Sequence, residues 1–221
     1  MQSVPRVVLA FVTAALSAAI VLAQQSGVPA DRVAAEKQAT VATPQAKVGQ
    51  PAPSFELLDC TGTKHSLSDY RDKVVVLEWL NQQCPWSVQA IPVMKELRKK
   101  YAGRGIVWLG IESTHYRKAE ENVQYAKDKE LDFPILLDSD GHVGKLYGAK
   151  TTPHVFVIDK GTLVYAGALH NNQHGEKKGS EVRNYLDEAL QAVLAGKAVP
   201  LSETTPWGCT IKYKPEKEKA Q

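Results

Sequence analysis

The chain has 221 residues, a formal net charge of +3 and 43% hydrophobic residues, which suffice for one globular domain with an appended tail. Basic and acidic residues are interspersed, so the charge pattern predicts solvated surfaces rather than a nucleic-acid interface. The sequence has no glycine-rich dinucleotide motif, P-loop or haem-attachment motif, and we expect no cofactor and no nucleic-acid partner.

The N-terminus has the pattern of an export signal. Arg6 precedes an uncharged apolar run over residues 7–23 that ends near Ala23, as in a secretory signal peptide cleaved at that point. The run also approaches the length of one membrane span, so an uncleaved anchor is the alternative. Either alternative predicts a periplasmic or extracellular protein, in membrane contact only through this segment. Residues 24–47 show no apolar face and predict a flexible linker.

Residues 48–200 predict one α/β domain, because short apolar runs alternate with helical stretches. Two hairpins are expected, over 55–59 with 64–67 and over 154–159 with 162–167. Further strands are expected at 74–80, 106–111 and 133–138. A helical turn is expected at 66–70, with helices that begin at 85, 118 and 143 and a last helix over 182–194. Residues 201–221 form a tail that carries Cys209.

Cys84 stands where an apolar strand gives way to a helix. Pro85 follows at the expected first helical position, where proline loses no hydrogen bond. A cysteine there faces unpaired backbone N–H groups and the positive end of the helix dipole, and both favour the thiolate. We therefore predict a reactive Cys84, the alternative being an inert small hydrophobic residue at a strand end.

The chain has three cysteines, Cys60, Cys84 and Cys209. Disulfides persist outside the cytosol, so an exported chain with three cysteines can form at most one intramolecular pair. The third cysteine is then a free thiol or pairs with another molecule.

Four motifs together resemble one known family. They are Val48–Phe55, Val76–Trp79 continuing through Cys84-Pro85, Tyr147–Asp159, and Trp207–Tyr213. Over about residues 48–213 the sequence is similar to exported redoxins, thioredoxin-like proteins of the AhpC/TSA superfamily of alkyl hydroperoxide reductases and thiol-specific antioxidants. The resemblance implies an α/β thioredoxin fold, with a central mixed sheet flanked by helices, an N-terminal hairpin and an inserted βα unit.

The resemblance also implies a site. Cys84 matches the nucleophilic cysteine and Pro153 the cis-proline that lies against it. A cis bond would let the Thr152 backbone face the thiol and pair with an extended substrate chain, whereas a trans proline on an edge strand is the alternative. Pro85 and Trp86 are expected to line the same substrate groove, although core packing would also account for Trp86.

Glu78 lies six residues before Cys84, where thioredoxins place a buried acid that relays the active-site proton. Between apolar strand neighbours its carboxyl would be desolvated, which raises the pKa toward the range useful for general acid/base work. The alternative is a Glu78 side chain that points into water.

Two positions depart from the usual motifs. Ser87 stands where a dithiol thioredoxin has its second cysteine, and because serine cannot resolve a mixed disulfide another thiol is needed. Cys209 is the candidate, on a tail that could fold over the Cys84 helix, but it could instead pair with Cys60. The peroxiredoxin signature is incomplete, since Asn81 occupies the place of its threonine, yet Asn81 could donate a hydrogen bond to a substrate in the groove.

These residues predict an exported thiol-dependent oxidoreductase that uses Cys84, with Glu78 and Cys209, on a peroxide or a protein disulfide. Electrons would come from a thiol reductant protein or a small thiol. The alternative is a redox-inactive thioredoxin-fold module that binds a peptide beside Pro153. His170 and His174 have the spacing of a helical metal pair, but their Asn, Gln and Gly neighbours favour a surface loop, and we expect no metal.

Overall fold

The computed structural model describes residues 45–215. The predicted signal peptide and nearly all of the predicted linker lie outside the described residues. Within residues 45–215, no helix is both long and apolar enough to cross a membrane.

The described part of the chain contains nine strands and four α-helices. The strands are β1 (Glu56–Leu58), β2 (Lys64–Ser66), β3 (Val74–Trp79), β4 (Ile106–Glu112), β5 (Ile135–Leu137), β6 (Thr151–Thr152), β7 (His154–Asp159), β8 (Thr162–Gly167) and β9 (Cys209–Thr210). The helices are α1 (Pro85–Lys100), α2 (Ala119–Asp128), α3 (His142–Tyr147) and α4 (Tyr185–Leu194), with 3₁₀ turns at Leu67–Tyr70 and Gly179–Glu181.

Five strands form the central sheet in the order β5-β4-β3-β7-β8. Strands β3, β4 and β5 are parallel, whereas β7 and β8 are antiparallel to their neighbours. The sheet is therefore mixed, with β3 at its centre, which is why β3 is almost uniformly apolar and buried. This architecture confirms the predicted thioredoxin fold, with β1–β2 as the N-terminal hairpin and β5–α3 as the inserted βα unit.

The two faces of the sheet carry separate cores. Side chains alternate along β3, so Val75, Leu77 and Trp79 pack with α3 and the hairpin side, and Val76 packs with α1 and α4. By the same alternation Glu78 lies on the α1 face. Helix α1 is thereby packed against the central strand that leads to Cys84.

Helix α4 begins at Tyr185, three residues later than the predicted start at residue 182. The Asn184 side chain accepts a hydrogen bond from the Asp187 backbone N–H and so caps the helix. The backbone N–H of Arg183 is meanwhile bonded to the Asn171 side chain, which holds that residue outside the helix. The hydrogen bond between Arg183 and Asn171, twelve residues apart, thus helps to set where the helix begins.

The chain after α4 returns across the domain. Glu203 forms a parallel bridge with Ala166 of β8, and β9 pairs antiparallel with β6. The predicted tail is therefore packed on the domain through at least Tyr213, whose hydroxyl donates to the Ala149 carbonyl at 2.9 Å.

Candidate active site

Cys84 is the N-cap residue of α1, and Pro85 occupies the first helical position, as predicted. The turn before the helix is closed by Asn81, whose carbonyl accepts from the Cys84 backbone N–H at 3.0 Å. The Cys84 side chain is only 1% exposed. The sulfur therefore lies at the helix N-terminus beneath other parts of the molecule, while Pro85 is exposed beside it.

Asn81 is buried and engaged at both ends of its side-chain amide. The oxygen accepts from the Gln83 backbone N–H at 2.8 Å, and the nitrogen donates to the Thr114 hydroxyl at 3.1 Å. The Asn81 backbone N–H donates to the hydroxyl of buried Ser87 at 3.1 Å. Asn81 thus shapes the turn that presents Cys84, and a substrate contact would have to use its second amide hydrogen.

Thr152 and Pro153 lie against the Cys84 sulfur. Their peptide bond is cis, as predicted, and the Cys84 thiol donates to the Thr152 carbonyl at 2.9 Å. Both residues are buried. The structure thus brings the nucleophile candidate and the cis-proline loop into direct contact.

Cys209 is the second thiol at this point. In the β6–β9 pair, Cys209 lies opposite Thr152, the residue whose carbonyl accepts the Cys84 thiol, and Cys209 is close enough to Cys84 to shift its pKa. Cys60 instead packs beside Leu80 and Ile135, with its backbone N–H bonded to the Ile135 carbonyl at 2.9 Å. All three cysteines are free thiols in this structure, and the neighbour of Cys209 is Cys84.

The two thiols have pKa values shifted in opposite directions. Burial raises the pKa of Cys84, but hydrogen bonds from the Cys209 thiol, the Thr152 side-chain hydroxyl and the Ser87 backbone N–H outweigh it, and the pKa lies below the ordinary value. Burial, together with the hydrogen bond and charge of Cys84, raises the pKa of Cys209 to about 11. Of the two thiols, Cys84 is therefore the one that loses its proton at the lower pH.

Glu78 is 4% exposed on the α1 face of β3, so its side chain does not point into water. Burial raises the pKa of Glu78 to about 8, against a smaller opposing effect of Arg98. Glu78, Ser87 and Tyr125 line a cavity of about 10 Å³, large enough for about one water molecule. The acid therefore shares a small cavity with the first turn of the Cys84 helix.

Glu112 is a second buried acid, which the sequence analysis did not identify. It ends β4, is 1% exposed, and accepts the Thr114 backbone N–H at 2.9 Å, while its other carboxylate oxygen has no partner among the described residues. Burial raises the pKa of Glu112. Charges on Glu78, Glu112 and Cys84 all raise the pKa of Tyr125, so the two acids flank one region. The sequence signal that could have identified Glu112 is its position directly after the apolar run over residues 106–111.

Aromatic rings border the sulfur on the tail side. Trp86 is half-buried, with its ring edge-to-face with Trp207 at 6.1 Å and with His174 at 5.7 Å between ring centroids. The Trp207 indole N–H donates to the His170 carbonyl at 2.8 Å. Trp86 of α1 therefore contacts Trp207 of the tail, and Trp207 is a further site neighbour that sequence reasoning missed.

The two histidines of the loop serve in local contacts. Burial lowers the pKa of His170, and its Nδ1 accepts the Asn172 backbone N–H at 3.1 Å. Within residues 45–215, no group of three or more His, Cys, Asp or Glu side chains is arranged to hold a metal ion.

Comparison with known proteins places the chain in a family. The AhpC/TSA family model matches residues 48–166, more than half of the chain. The chain belongs to the AhpC/TSA family. This AhpC/TSA protein is a thiol-dependent oxidoreductase, because its family and its relatives named thiol-disulfide oxidoreductase agree on that chemistry.

Two relatives illustrate the similarity. Thiol-disulfide oxidoreductase ResA of Bacillus thuringiensis subsp. konkukian (strain 97-27) is 29% identical over 147 residues, which are 66% of this chain and 79% of ResA. Thioredoxin-like protein YneN of Bacillus subtilis (strain 168) is 32% identical over 133 residues, 58% of this chain and 77% of YneN.

Solved structures share the fold of this chain. A hypothetical protein of Sinorhizobium meliloti 1021 superposes with a TM-score of 0.69 at 28% identity, covering 78% of this chain and 98% of that protein. A putative thiol:disulfide interchange protein DsbE of Chlorobium tepidum has a TM-score of 0.55 at 24% identity, over 68% of this chain and 99% of that protein. The DsbE similarity supports the fold alone.

Proposed function

We propose that the protein is a thiol-disulfide oxidoreductase in which Cys84 is the nucleophile and Cys209 the resolving thiol. The observation that carries this proposal is that Cys84 and Cys209 both lie against Thr152, and the lowered pKa of Cys84 and the pKa of Cys209 raised to about 11 support it. A thiolate beside a protonated thiol is the arrangement that a two-step exchange needs. Cys209 thus replaces the second cysteine of a dithiol motif, whose position is occupied here by Ser87.

The proposed cycle conserves electrons and atoms. The Cys84 thiolate attacks one sulfur of a substrate disulfide, forming a mixed disulfide and releasing one substrate thiolate. Cys209 then loses its proton and attacks the Cys84 sulfur, which forms the Cys84–Cys209 disulfide and releases the second substrate thiolate. Two protein thiols are oxidised while one substrate disulfide is reduced.

Glu78 is proposed as the proton relay for the second step. Cys209 must lose a proton before it attacks, and a carboxylate with a pKa of about 8 is a base of suitable strength near neutral pH. A water molecule in the cavity shared by Glu78 and Ser87 would carry the proton between the carboxyl and the Cys84 helix.

The relatives' names favour a disulfide as substrate. The 1% exposure of Cys84 favours a second candidate, a peroxide, because a small oxidant reaches a covered sulfur more easily than a protein does. In that reaction the thiolate attacks one peroxide oxygen, leaving a sulfenic acid and releasing water or an alcohol. Cys209 then condenses with the sulfenic acid, forming the same disulfide and a water molecule.

The cycle closes when an external dithiol protein or small thiol returns two electrons to the Cys84–Cys209 disulfide. Export is part of the proposal and rests on the sequence of residues 1–23 alone. Fractionation of expressing cells together with N-terminal sequencing tests it, since an intact Met1 in the cytoplasmic fraction would exclude cleavage and export.

Non-reducing peptide mapping with intact-mass analysis tests the cycle. The reduced protein is treated with one equivalent of hydrogen peroxide or of a peptide disulfide, beside Cys84→Ser, Cys209→Ser and the control Cys60→Ser. A Cys84–Cys209 disulfide is expected in the unsubstituted protein and in Cys60→Ser only. A Cys60–Cys209 disulfide with Cys84 unreacted would refute the cycle, and the faster oxidant identifies the substrate class.

A further inference from the structure

A short segment of the tail, residues 205–210, covers the nucleophile candidate; we name it the covering segment. The Thr152 carbonyl oxygen accepts the hydrogen bond of the Cys84 thiol. A Cβ atom added at Gly208 would overlap this same oxygen. Cys209 lies opposite Thr152 in the β6–β9 pair. The segment and the Cys84 thiol therefore pack against the same residue, Thr152.

The chain is firmly anchored on both sides of the covering segment. On one side, the Thr204 hydroxyl accepts the Ala168 backbone N–H at 2.8 Å and is bonded to the buried Tyr165 hydroxyl at 2.7 Å. On the other side, Ile211 is 5% exposed within the core, and its backbone N–H donates to the Lys150 carbonyl at 3.2 Å. The two ends are thus part of the folded domain.

Between these anchors the contacts are fewer. All six residues of the covering segment are at least partly exposed. The pairing of β9 with β6 involves only two residues, and Trp207 adds one side-chain hydrogen bond and ring contacts with Trp86 and His170. Gly208 has a φ of 133°, a conformation that L side chains rarely adopt. Segments with such properties open locally at lower free energy than the core.

We propose that the covering segment occupies the place of an extended substrate peptide, and that a protein substrate must displace it while Thr204 and Ile211 stay anchored. This inference rests on the proposed function of Cys84. The segment already shows how such a peptide would bind, as an antiparallel strand on Thr151–Thr152 with its cysteine facing Cys84. A substrate strand and the covering segment cannot occupy that edge together.

Displacement and return of the covering segment order the steps of exchange. With the segment lifted, the Cys84 thiolate attacks the substrate disulfide and one substrate thiolate leaves. The substrate strand, still joined to Cys84 through the mixed disulfide, then leaves the edge of β6 and the segment returns. Cys209 loses its proton and attacks the Cys84 sulfur, which releases the second substrate thiolate. The resulting Cys84–Cys209 disulfide fixes the covering segment in its closed position, so the oxidised protein does not bind a peptide. Binding becomes possible again when an external thiolate attacks the sulfur of the partly exposed Cys209.

Gly208→Ala in a Cys209→Ser background tests the cover, because the added methyl group would overlap the Thr152 carbonyl and prevent closure. The matched control is Gly161→Ala, where a positive φ of 83° is likewise strained but no atom lies within 4 Å. Trp207→Ala loosens the segment without any overlap and serves as a second variant.

The first readout is the alkylation rate of Cys84 by iodoacetamide, followed by intact mass. Gly208→Ala and Trp207→Ala are expected to accelerate alkylation at least about tenfold, the equivalent of about 1.4 kcal/mol, and Gly161→Ala to leave it within about twofold. An unchanged or slower rate in both segment variants would overturn the inference.

The second readout is the release of thionitrobenzoate from a short cysteine peptide carrying it as a mixed disulfide. Because a peptide needs the whole edge of β6, its reaction is expected to accelerate more than alkylation does. Acceleration of alkylation without any acceleration of the peptide reaction would refute displacement by substrate. No release in any variant, with alkylation intact, would instead refute disulfide exchange, and the alkylation rates would still decide whether the segment covers Cys84.

Discussion

The Cys84 thiol and the Thr152 carbonyl oxygen are 2.9 Å apart. This contact joins the end of the central strand to the loop with the cis peptide bond, although 68 residues separate them in the sequence. Cys209 pairs with the same Thr152. The backbone of Thr152 therefore fixes the positions of both thiols, and the predictions for the two sulfurs depend on it.

The pH dependence of Cys84 alkylation is expected to depend on the side chain at position 209. In the unsubstituted protein the midpoint should lie below that of free cysteine, because hydrogen bonds to the thiolate lower its pKa. Cys209→Ala removes one such donor, and since a hydrogen bond to a charged group is worth about 1.5–3 kcal/mol, the midpoint should rise by about one to two pH units. Iodoacetamide rates between pH 5 and pH 10 give the midpoint.

Cys209→Ser is the matched control for this measurement, because a serine hydroxyl can still donate to the Cys84 thiolate. Its midpoint should stay closer to that of the unsubstituted protein. Identical midpoints in the alanine and serine variants would show that Cys209 does not stabilise the thiolate.

The stability of the protein should fall as the pH rises through neutrality, because of Glu78. Its pKa is about 8 in the folded protein and 4.5 in an unperturbed side chain. Between these values the folded state holds one more proton than the unfolded state, so the free energy of unfolding decreases with rising pH, by up to the order of 5 kcal/mol in total.

Glu78→Gln removes the titrating carboxyl group. The variant should be more stable than the unsubstituted protein above pH 8, and the free energies of unfolding of the two proteins should converge below pH 4.5. Urea unfolding at pH 5, 7 and 9 measures the difference. Parallel dependence on pH in the two proteins would contradict a raised pKa at this position.

Local patterns in the sequence were sufficient for much of the architecture. The apolar run over residues 74–79 followed by Cys84-Pro85 predicted the strand-to-helix transition, since apolar periodicity and proline position act on neighbouring residues. The Lys160-Gly161 turn between two apolar runs predicted the β7–β8 hairpin in the same way. These features depend on contacts close in sequence.

The remaining features depend on contacts between distant residues. Spacing along the chain could not decide between Cys60 and Cys84 as the neighbour of Cys209, because that choice is made by the pairing of β9 with β6. Such pairings leave no local pattern in the sequence.

Glu112 should be needed for stability as a hydrogen-bond acceptor rather than as a charge. Glu112→Ala leaves the buried Thr114 backbone N–H without its 2.9 Å acceptor and opens a cavity, which should cost about 2–4 kcal/mol. Glu112→Gln keeps an acceptor oxygen and should cost less than about 1 kcal/mol. Urea unfolding at pH 6 compares them, and equal losses would assign the effect to the charge.

Oxidation should stabilise the protein through the covering segment. A Cys84–Cys209 disulfide closes a long loop and restricts the unfolded chain, which typically stabilises a protein by about 2–4 kcal/mol. Because both cysteines already lie against Thr152, little rearrangement of the folded state is needed. Urea unfolding of the oxidised and reduced forms should show this difference in the unsubstituted protein and in Cys60→Ser, and none in Cys209→Ser. A difference that disappears in Cys60→Ser and persists in Cys84→Ser would show that the bond joins Cys60 and Cys209 instead.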